Sequence, residues 1–421
     1  ARLAGKNMLE VIPAETLRQT YVRGPLNIHY ICDPEIITEM LVGKGRAFPK
    51  AKFTKDIIGS AVGNGLILSE GEKWRRQRRR YSPLFAARNL PLLSTHFSET
   101  GIEIGDSLAQ NPGLVDVAQV APAATLTNIS RVMFSGNQEV SSDQIRTGLI
   151  KYFEYISKLS LFDLMGLPDW VPRSNWLKSR TPVTAMRALA RFVIEHRRAE
   201  PTGEARDFLD LLIDALEDDV EDIEAIVDNL LTFVVAGHET SANAIAWGLY
   251  LFALNPEMQR KIQNEVLSVR PDGPFTFEDT QSMPMLHAHV KETLRLYPSA
   301  AFFARDAGED LTIKGIHFKK GDALFYPVYS IHRNEKLWDE PNHYRPERFI
   351  EGPLPRGQYI PFGDGPRICI GAQYAETEIM ILMASILRKV SFALGDTPIP
   401  SPTLTFTMRP GGPVMLRTWP L

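Results

Sequence analysis

The sequence is poor in cysteine and has no large excess of charge of either sign. Its 421 residues include only two cysteines, Cys32 and Cys369, which excludes a disulfide scaffold and a cysteine-rich zinc or iron–sulfur site. We therefore expect a reducing compartment and predict a cytoplasmic location. The formal net charge of −3 lacks the basic excess typical of nucleic-acid-binding proteins, so no nucleic-acid partner is expected.

Long apolar runs and repeats are also lacking. The longest apolar stretch, residues 379–387, is interrupted by Ser385 and is too short to span a bilayer, so no membrane anchor is predicted. The first residue is Ala1 and not Met, which leaves open whether a segment precedes it. Internal repeats are absent and prolines are spread evenly along the chain. We predict a single domain, 1–421, and expect a monomer.

Helical periodicity, by contrast, is abundant. The spacing of apolar residues predicts a long helix over about 223–254, where no proline occurs, and later helices over 256–267, 284–297 and 371–390. Ser69 and Glu72 have the spacing of a capping box and predict another helix that continues through Arg78.

Strand signals are few. Lys314-Gly315 lies between two short apolar segments and predicts a hairpin over 311–318, with a strand over 323–325 and an extended tail over 404–416. The predicted fold class is therefore mainly α with a minor β part.

A glycine-rich segment surrounds the second cysteine. It reads Phe362-Gly363-Asp364-Gly365-Pro366-Arg367-Ile368-Cys369-Ile370-Gly371. Its glycines indicate a tight backbone that closely approaches a flat or bulky group. The helix predicted to follow would direct its positive end toward the sulfur and stabilise a thiolate. The alternative is a buried structural cysteine in a glycine-rich turn.

The middle of the longest predicted helix contains a second unusual segment, Ala236-Gly237-His238-Glu239-Thr240-Ser241. A glycine inside a helix costs about 1 kcal/mol relative to alanine. Glu239 and Thr240 directly follow an apolar run, where burial of polar groups is costly. A helix glycine and costly polar residues in the same short segment together indicate a functional site. The alternative is a helix kink in which Thr240 hydrogen-bonds back to a carbonyl group.

Two further pairs have helical spacing. Glu292 and Arg295 lie three residues apart and can form an ion pair, and Arg348 follows in the segment Pro346-Glu347-Arg348-Phe349. Trp74 and Arg78 lie four residues apart on one helix face. Taken alone, the first pair is a common surface arrangement, and a solvated basic face is the alternative for the second.

Together these motifs, in this order, resemble the cytochrome P-450 family. The cysteine segment fills every position of that family's signature, Phe-Gly-x-Gly-x-Arg-x-Cys-x-Gly. The resemblance extends from about Gly24 to Trp419. It implies the cytochrome P-450 fold, with haem b (iron protoporphyrin IX) between the long central helix and the helix that follows the cysteine loop.

The resemblance also implies roles for the motif residues. Cys369 would be the iron ligand, Gly237 would leave room for dioxygen, Thr240 would donate a hydrogen bond to it, and Glu239 would relay protons. Glu292, Arg295 and Arg348 would form a buried network that supports the cysteine loop. The residues expected to contact the haem are Trp74, Arg78, Ala236, Arg305, Phe362, Gly363, Arg367 and Gly371. His238 is expected to be a surface or core residue.

The implied activity is insertion of one oxygen atom from O2 into a hydrophobic organic substrate, by C–H hydroxylation or epoxidation. Electrons would come from NAD(P)H through a separate ferredoxin-type donor and its reductase. An acidic ferredoxin could dock on a basic run formed by Arg75, Arg76, Arg79 and Arg80, for which the alternative is a merely soluble face.

By analogy with the family, apolar residues would line the substrate pocket, although ordinary core packing is the alternative for them. They are Phe233, Val234, Ala301, Phe302, Phe303 and Phe406. The alternative functions are a hydrogen-peroxide-dependent peroxygenase and a non-catalytic haem-binding protein.

Overall fold

The computed structural model describes residues 7–25, 27–52, 54–55, 59, 62–134, 147–152, 176–199, 204–215, 223–404 and 407–421. Two compact units are present within these ranges. The described residues within 52–96 and 125–239 belong to the first unit, and those within 7–51, 97–124 and 240–421 belong to the second. Each unit is described by itself below.

Helices dominate the described chain, which confirms the predicted mainly α class. In chain order they are α1 (Pro34–Thr38), α2 (Gly71–Tyr81), α3 (Leu90–Gln110), α4 (Val117–Phe134), α5 (Trp176–Ala199), α6 (Phe208–Asp214), α7 (Ile223–Leu254), α8 (Pro256–Val269), α9 (Phe277–Thr280), α10 (Pro284–Leu296), α11 (Val328–Ile331) and α12 (Ala372–Leu387). A π-helical turn covers Glu39–Gly43. Short 3-10 turns cover Met8–Val11, Ala14–Leu17, Gly45–Ala47, Ser82–Phe85, Ala87–Asn89, Pro346–Phe349 and Gly365–Arg367.

All the strands found in the described residues belong to the second unit. They are β1 (Tyr21–Arg23), β2 (Ile28–Ile31), β3 (Gly113–Asp116), β4 (Phe303–Asp306), β5 (Leu311–Ile313), β6 (Ile316–Phe318), β7 (Ala323–Tyr326), β8 (Val390–Leu394), β9 (Pro402–Leu404), β10 (Met408–Pro410) and β11 (Met415–Pro420). The largest sheet has the order β1-β2-β7-β4, in which β2 and β7 are parallel and the other pairs antiparallel. A second sheet has the order β3-β11-β8, and β5-β6 and β9-β10 are two-stranded.

The long helix and the hairpin were predicted correctly. Helix α7 has the predicted bounds because no proline occurs in its apolar sequence. Helix α10 begins with Pro284, which needs no N–H partner in the first turn, and ends before Pro298. Strands β5 and β6 pair around Lys314 and Gly315, which both adopt positive φ.

Two local predictions were wrong. Ser69 does not cap α2, because its hydroxyl donates to Oε1 of Gln77 (2.6 Å) and Glu70 occupies the N-cap position, where its side chain does not cap the helix. The last helix ends at Leu387 rather than near 390, because Val390 begins β8, which pairs with β11. A strand partner far along the chain thus outweighed local helical periodicity.

The first unit contains an aromatic core. The ring of Phe233 lies with its centroid 5.7 Å from that of Tyr81, 5.3 Å from Phe85 and 5.6 Å from Phe208, each close to perpendicular. Edge-to-face packing of this kind stabilises aromatic clusters beyond the burial of area. This cluster joins α2, α6 and α7.

The second unit has a larger apolar core between its four-stranded sheet and α1. Ile31, Ile37, Phe318 and Tyr326 are among its fully buried members. In the described part of the chain, none of the helices has both the length and the apolar character that crossing a membrane requires.

Candidate active site

Cys369 lies between the 3-10 turn Gly365–Arg367 and α12. Its backbone N–H donates to the carbonyl oxygen of Phe362 (2.9 Å), which closes the loop. Its side chain is exposed and forms no disulfide. Helix α12 begins three residues later, with Gly371 at its N-cap, so the thiol lies beside the positive end of a helix. An accessible sulfur in this position can bind a metal as a thiolate.

Glycines shape the cysteine loop, as the sequence predicts. Gly363 and Gly365 adopt φ values of +77° and +72°, in the left-handed region that favours glycine. A Cβ on Gly365 would lie 2.4 Å from the carbonyl oxygen of Leu41, so no side chain fits there. Phe362, Gly363, Arg367 and Gly371 are all half-buried in this loop.

Asp364 adds a polar contact to the same loop. Its Oδ1 accepts the Gly365 N–H (2.6 Å), and the Arg356 guanidinium lies 2.9 Å from it. Burial alone would raise the pKa of Asp364, but the Arg356 and Gly365 hydrogen bonds outweigh burial and hold that pKa below its usual value. Asp364 therefore stays charged and keeps the turn closed.

The structure brings Glu292, Arg295 and Arg348 together. Arg295 forms two parallel hydrogen bonds with the Glu292 carboxylate, both 2.7 Å, and both side chains are fully buried. Nε of Arg348 lies 3.3 Å from Oε1 of Glu292. The remaining Arg295 N–H groups donate to the carbonyl oxygens of His332 (2.7 Å), Pro341 (2.7 Å) and His343 (3.1 Å). Every charge in the network has partners, which a buried ion pair requires.

His332, which no sequence motif identified, connects this network to the cysteine loop. Its Nε2 accepts the Ile360 N–H (3.0 Å), so Nδ1 carries the proton that it donates to the Arg295 carbonyl oxygen (3.2 Å). Burial, reinforced by the charge of Arg295, lowers the pKa of His332 to about 3, which keeps the ring neutral. Ile360 in turn accepts the Gly363 N–H (3.0 Å).

The motif in the middle of α7 contains an exposed residue within a buried stretch. Residues 229–235 are all buried, whereas Ala236 is exposed and Gly237, Glu239 and Thr240 are half-buried. A Cβ on Gly237 would lie 3.3 Å from Cδ1 of Ile129, which is tighter than ordinary contact. Gly237 therefore lets α7 pack closely against Ile129, and Ala236 presents only a methyl group at its exposed position.

His238 lies in the core, which is one of the two places expected for it. Its Nδ1 lies 2.8 Å from the hydroxyl oxygen of Thr125. Burial lowers the pKa of His238 to about 4, so the ring is neutral at physiological pH.

Trp74 and Arg78 lie on one face of α2, and both are half-buried. On the same helix Arg76 and Arg79 are exposed, whereas Arg75 pairs with Glu72. The basic run therefore contains both exposed and paired arginines.

Arg305 lies on β4 in the second unit, opposite Leu324 of β7, and its Nη1 donates to the Ala304 carbonyl oxygen (2.9 Å). Phe303, at the start of the same strand, lies close to the cysteine loop, since its Cζ is 3.6 Å from where a Cβ of Gly363 would be. The structure thus places β4 directly beside that loop.

The residues predicted to line a substrate pocket have different surroundings. Ala301 is buried with Leu404 and Met408, and Phe302 packs against this apolar cluster. Phe233 and Val234 are buried in the first unit, where Phe233 belongs to the aromatic core. Phe406 lies outside the described residues.

Ser299 is a polar residue that the sequence analysis missed. Its hydroxyl donates to the backbone carbonyl oxygen of Thr240 (2.7 Å), and its side chain is buried. The spacing of 59 residues between these partners provides no local signal.

These observations fit a haem, the group implied by the family resemblance. The exposed Cys369 offers a sulfur ligand for the iron. The exposed Ala236 offers a short side chain on the surface of α7, against which a flat group can pack. Half-buried arginines, which suit carboxylate recognition, are present at 78, 305 and 367.

Comparison with known proteins gives consistent matches. A family model described as Cytochrome P-450 matches residues 19–416. An Arabidopsis thaliana protein named cytokinin hydroxylase is 28% identical over 408 residues, which cover 93% of this chain and 78% of that protein. A putative cytochrome P-450 132 from Mycobacterium tuberculosis strain H37Rv is 30% identical over 371 residues, covering 84% and 79% of the two chains.

The solved structures agree with this. The crystal structure of the cytochrome P-450 CYP102L1 is similar with a TM-score of 0.79 and 26% sequence identity, covering 94% of this chain and 89% of that one. The fold and the family match both extend over nearly the whole chain. This chain belongs to the cytochrome P-450 family and is a haem b monooxygenase.

Proposed function

We propose that Cys369 is the iron ligand and that the enzyme inserts one atom of O2 into a hydrophobic substrate with electrons from a separate ferredoxin. The observation that carries the proposal is the exposed Cys369 thiol, held beside the start of α12 by a loop in which Gly365 leaves no room for a side chain. The haem, when bound, supplies the reductive activation of dioxygen. The protein's own residues supply binding, orientation and protons.

Four side chains are proposed to hold the haem carboxylates. A planar guanidinium can donate two parallel hydrogen bonds to one carboxylate, which suits Arg78, Arg305 and Arg367. Trp74 lies on the same face of α2 as Arg78 and can donate from its indole nitrogen. Phe362, Gly363, Gly371 and Ala236 are proposed to provide the close apolar contacts.

Glu239 and Thr240 are proposed to deliver protons. Glu239 is half-buried, so its carboxyl group can exchange protons with solvent. The Thr240 hydroxyl can accept one hydrogen bond while donating another, which lets it hold a proton at the reacting oxygen. Gly237, which has no side chain, is proposed to keep space for dioxygen.

The substrate is proposed to be apolar and to be hydroxylated. Ala301 and Phe302 pack with Leu404 and Met408 in an apolar cluster of the second unit, which favours a hydrophobic ligand. A relative named cytokinin hydroxylase supports C–H hydroxylation rather than epoxidation. Phe303 and Phe406 remain predicted pocket residues.

The electron donor is proposed to be an acidic ferredoxin that docks on α2. Arg76 and Arg79 are exposed on this helix and provide the positive surface. The single-domain organisation, the monomeric state and the cytoplasmic location stay predictions.

The iron ligand can be tested with the two cysteines as a matched pair. The wild type and Cys32→Ala should both give the red-shifted Soret band of a thiolate-ligated haem after reduction and addition of carbon monoxide, because Cys32 is fully buried elsewhere in the second unit. Cys369→Ala should lack that band. A normal band in Cys369→Ala would contradict the proposal.

The ferredoxin surface can be tested by charge reversal. Arg76→Glu together with Arg79→Glu should slow reduction by an acidic ferredoxin and flatten its dependence on ionic strength. Arg198→Glu, an exposed arginine on α5, is the control and should leave both unchanged. Equal reduction rates in the double variant and the control would remove the docking proposal.

A further inference from the structure

We propose that Ser299 is a positioning residue for Thr240, an inference that rests on the proposed role of Thr240 in proton delivery. The Ser299 hydroxyl would hold the backbone of Thr240 in place, so that the Thr240 side chain keeps its position during turnover. Ser299 itself takes no part in the chemistry.

Ser299 is fixed from two sides. Its hydroxyl donates to the Thr240 carbonyl oxygen at 2.7 Å, and only 6% of its surface is exposed. Its own carbonyl oxygen accepts the N–H of Met408 at 2.9 Å. The segment that carries Ser299 is therefore hydrogen-bonded to β10 on one side and to α7 on the other.

Neighbouring contacts hold the same face of α7. Nδ2 of Asn243 donates to the Thr407 hydroxyl (3.2 Å), one turn along the helix from Thr240. One further turn along, Trp247 stacks on Tyr297, with ring centroids 4.0 Å apart and planes within 6°. Positions 240, 243 and 247 share one helix face. Contacts with other segments therefore hold this face from Thr240 to Trp247. The contact of Ser299 is the one at Thr240.

Because Ser299 binds a helix carbonyl oxygen, it can restrain the position of Thr240 without being required for α7 to form. A helix carbonyl oxygen already accepts the N–H four residues later, and its second lone pair can accept another donor. Loss of the Ser299 hydroxyl leaves the helical hydrogen bond available, so α7 should persist. The turn that carries Thr240 would then lose one of its restraints.

A small displacement of Thr240 has a defined chemical consequence. In the productive reaction, RH, O2, two electrons and two protons give ROH and water. When the protons reach the wrong oxygen, O2, two electrons and two protons give hydrogen peroxide, and RH is unchanged. A misplacement of about 1 Å in a catalytic group can cost about 100-fold in rate. Loss of Ser299 should therefore divert electrons from product to peroxide.

The link also joins Thr240 to the apolar cluster. Ser299 lies two residues before Ala301 and binds the backbone of Met408, and both of these residues belong to that cluster. The same contacts therefore connect the proposed substrate contacts with the proposed proton donor.

The test compares Ser299→Ala with Ser94→Ala. Ser94 is a buried serine on α3 whose hydroxyl also donates to a backbone carbonyl oxygen, that of Pro91 at 2.9 Å. Both variants lose a similar hydrogen bond, so both should lose similar stability. Product and hydrogen peroxide formed per NAD(P)H are measured for each variant and for Thr240→Ala.

Ser299→Ala should raise the ratio of peroxide to product about tenfold and increase the solvent isotope effect on product formation, whereas Ser94→Ala should change neither. In the resting protein, amide hydrogen exchange at 240–244 should be about tenfold faster in Ser299→Ala, the factor expected for loss of about one hydrogen bond. An equal ratio of peroxide to product in the two serine variants would overturn the inference, and so would unchanged amide exchange at 240–244 in Ser299→Ala. If Thr240→Ala left the ratio of peroxide to product at the wild-type value, the proposed function would be overturned, and the inference with it.

Discussion

Two networks of arginine and carboxylate residues differ chiefly in burial. In the second unit, Glu292 and Arg295 are fully buried and Arg348 is 5% exposed at its side chain. In the first unit, Arg187 pairs with both Glu224 and Asp228, and each of the two distances between nitrogen and oxygen is 2.7 Å. The side chains of these three residues are 14–37% exposed. The shortest distance between a nitrogen and a carboxylate oxygen is 2.7 Å in both networks, whereas the exposure of their side chains differs.

The difference decides what each network can do. A buried charge that loses its partner has no water to replace it, so the network around Glu292 must be complete. Water can solvate the half-exposed side chains around Glu224, so each pair there stabilises little. We therefore expect the first network to determine whether the cysteine loop forms, and the second to adjust local order.

The largest expected effect comes from Arg295→Ala. It removes five hydrogen bonds and leaves the buried Glu292 with a 3.3 Å contact to Arg348 as its charged partner among the described residues, which should lower the free energy of unfolding by about 4 kcal/mol. Urea unfolding measures this. Arg18→Ala, which breaks an exposed pair with Glu335, should change almost nothing. Equal losses in the two variants would contradict the burial argument.

His332→Phe should have the next largest effect. The ring can still stack on Tyr359, but the Ile360 N–H and the Arg295 carbonyl oxygen lose their partner. Leaving these groups unpaired should cost about 2 kcal/mol of unfolding free energy. His317→Phe, at an exposed position on β6, is the control. A stability equal to that of the control would mean that His332 does not connect the network to the loop.

Arg187→Ala should cost less, about 1 kcal/mol, and the loss should shrink at high salt. Asp228 also accepts the Asn64 N–H (2.8 Å), so amide exchange at 64–66 should speed up in the variant. Unfolding at low and high ionic strength checks the first expectation. A salt-independent loss would indicate that packing of the Arg187 stem matters more than its charge.

The smallest effect should be the pH dependence of Glu224. Hydrogen bonds from Arg191 and Arg187 lower its pKa below the ordinary value. A lowered carboxyl pKa adds stability above the ordinary pKa, and this stability is lost as pH falls through the lowered value. The advantage of the wild type over Glu224→Gln should therefore be about 0.5 kcal/mol near pH 7 and shrink as the pH falls below the ordinary glutamate pKa. A difference that persists in acid would contradict this.

The elements that the sequence predicted well have local causes. The uninterrupted length of α7 follows from the absence of proline within it, and the shape of the cysteine loop follows from Gly363 and Gly365. The ion pair between Glu292 and Arg295 follows from a spacing of three residues on one helix. Each of these features depends on residues within about two helical turns.

The elements that were missed depend on distant partners. Strand β4 exists because it pairs with β7, and β1 because it pairs with β2, although neither is longer than four residues. The Ser69 hydroxyl donates to the Gln77 side chain instead of accepting an N–H at the start of α2. His332 and Ser299 carry no motif, because their importance lies in atoms contributed by Ile360, Arg295 and Thr240.

The sequence by itself determined the family, the mainly α class and the residue types required for haem chemistry. These can be recognised from motifs in which the key residues lie only a few positions apart. Only the tertiary structure decided that a carbonyl oxygen of Leu41 excludes a side chain at Gly365, that neutral His332 links Arg295 to the loop, and that Ser299 holds Thr240. Such contacts join residues 28 to 324 positions apart, and folding alone brings their hydrogen-bonding atoms within reach of each other.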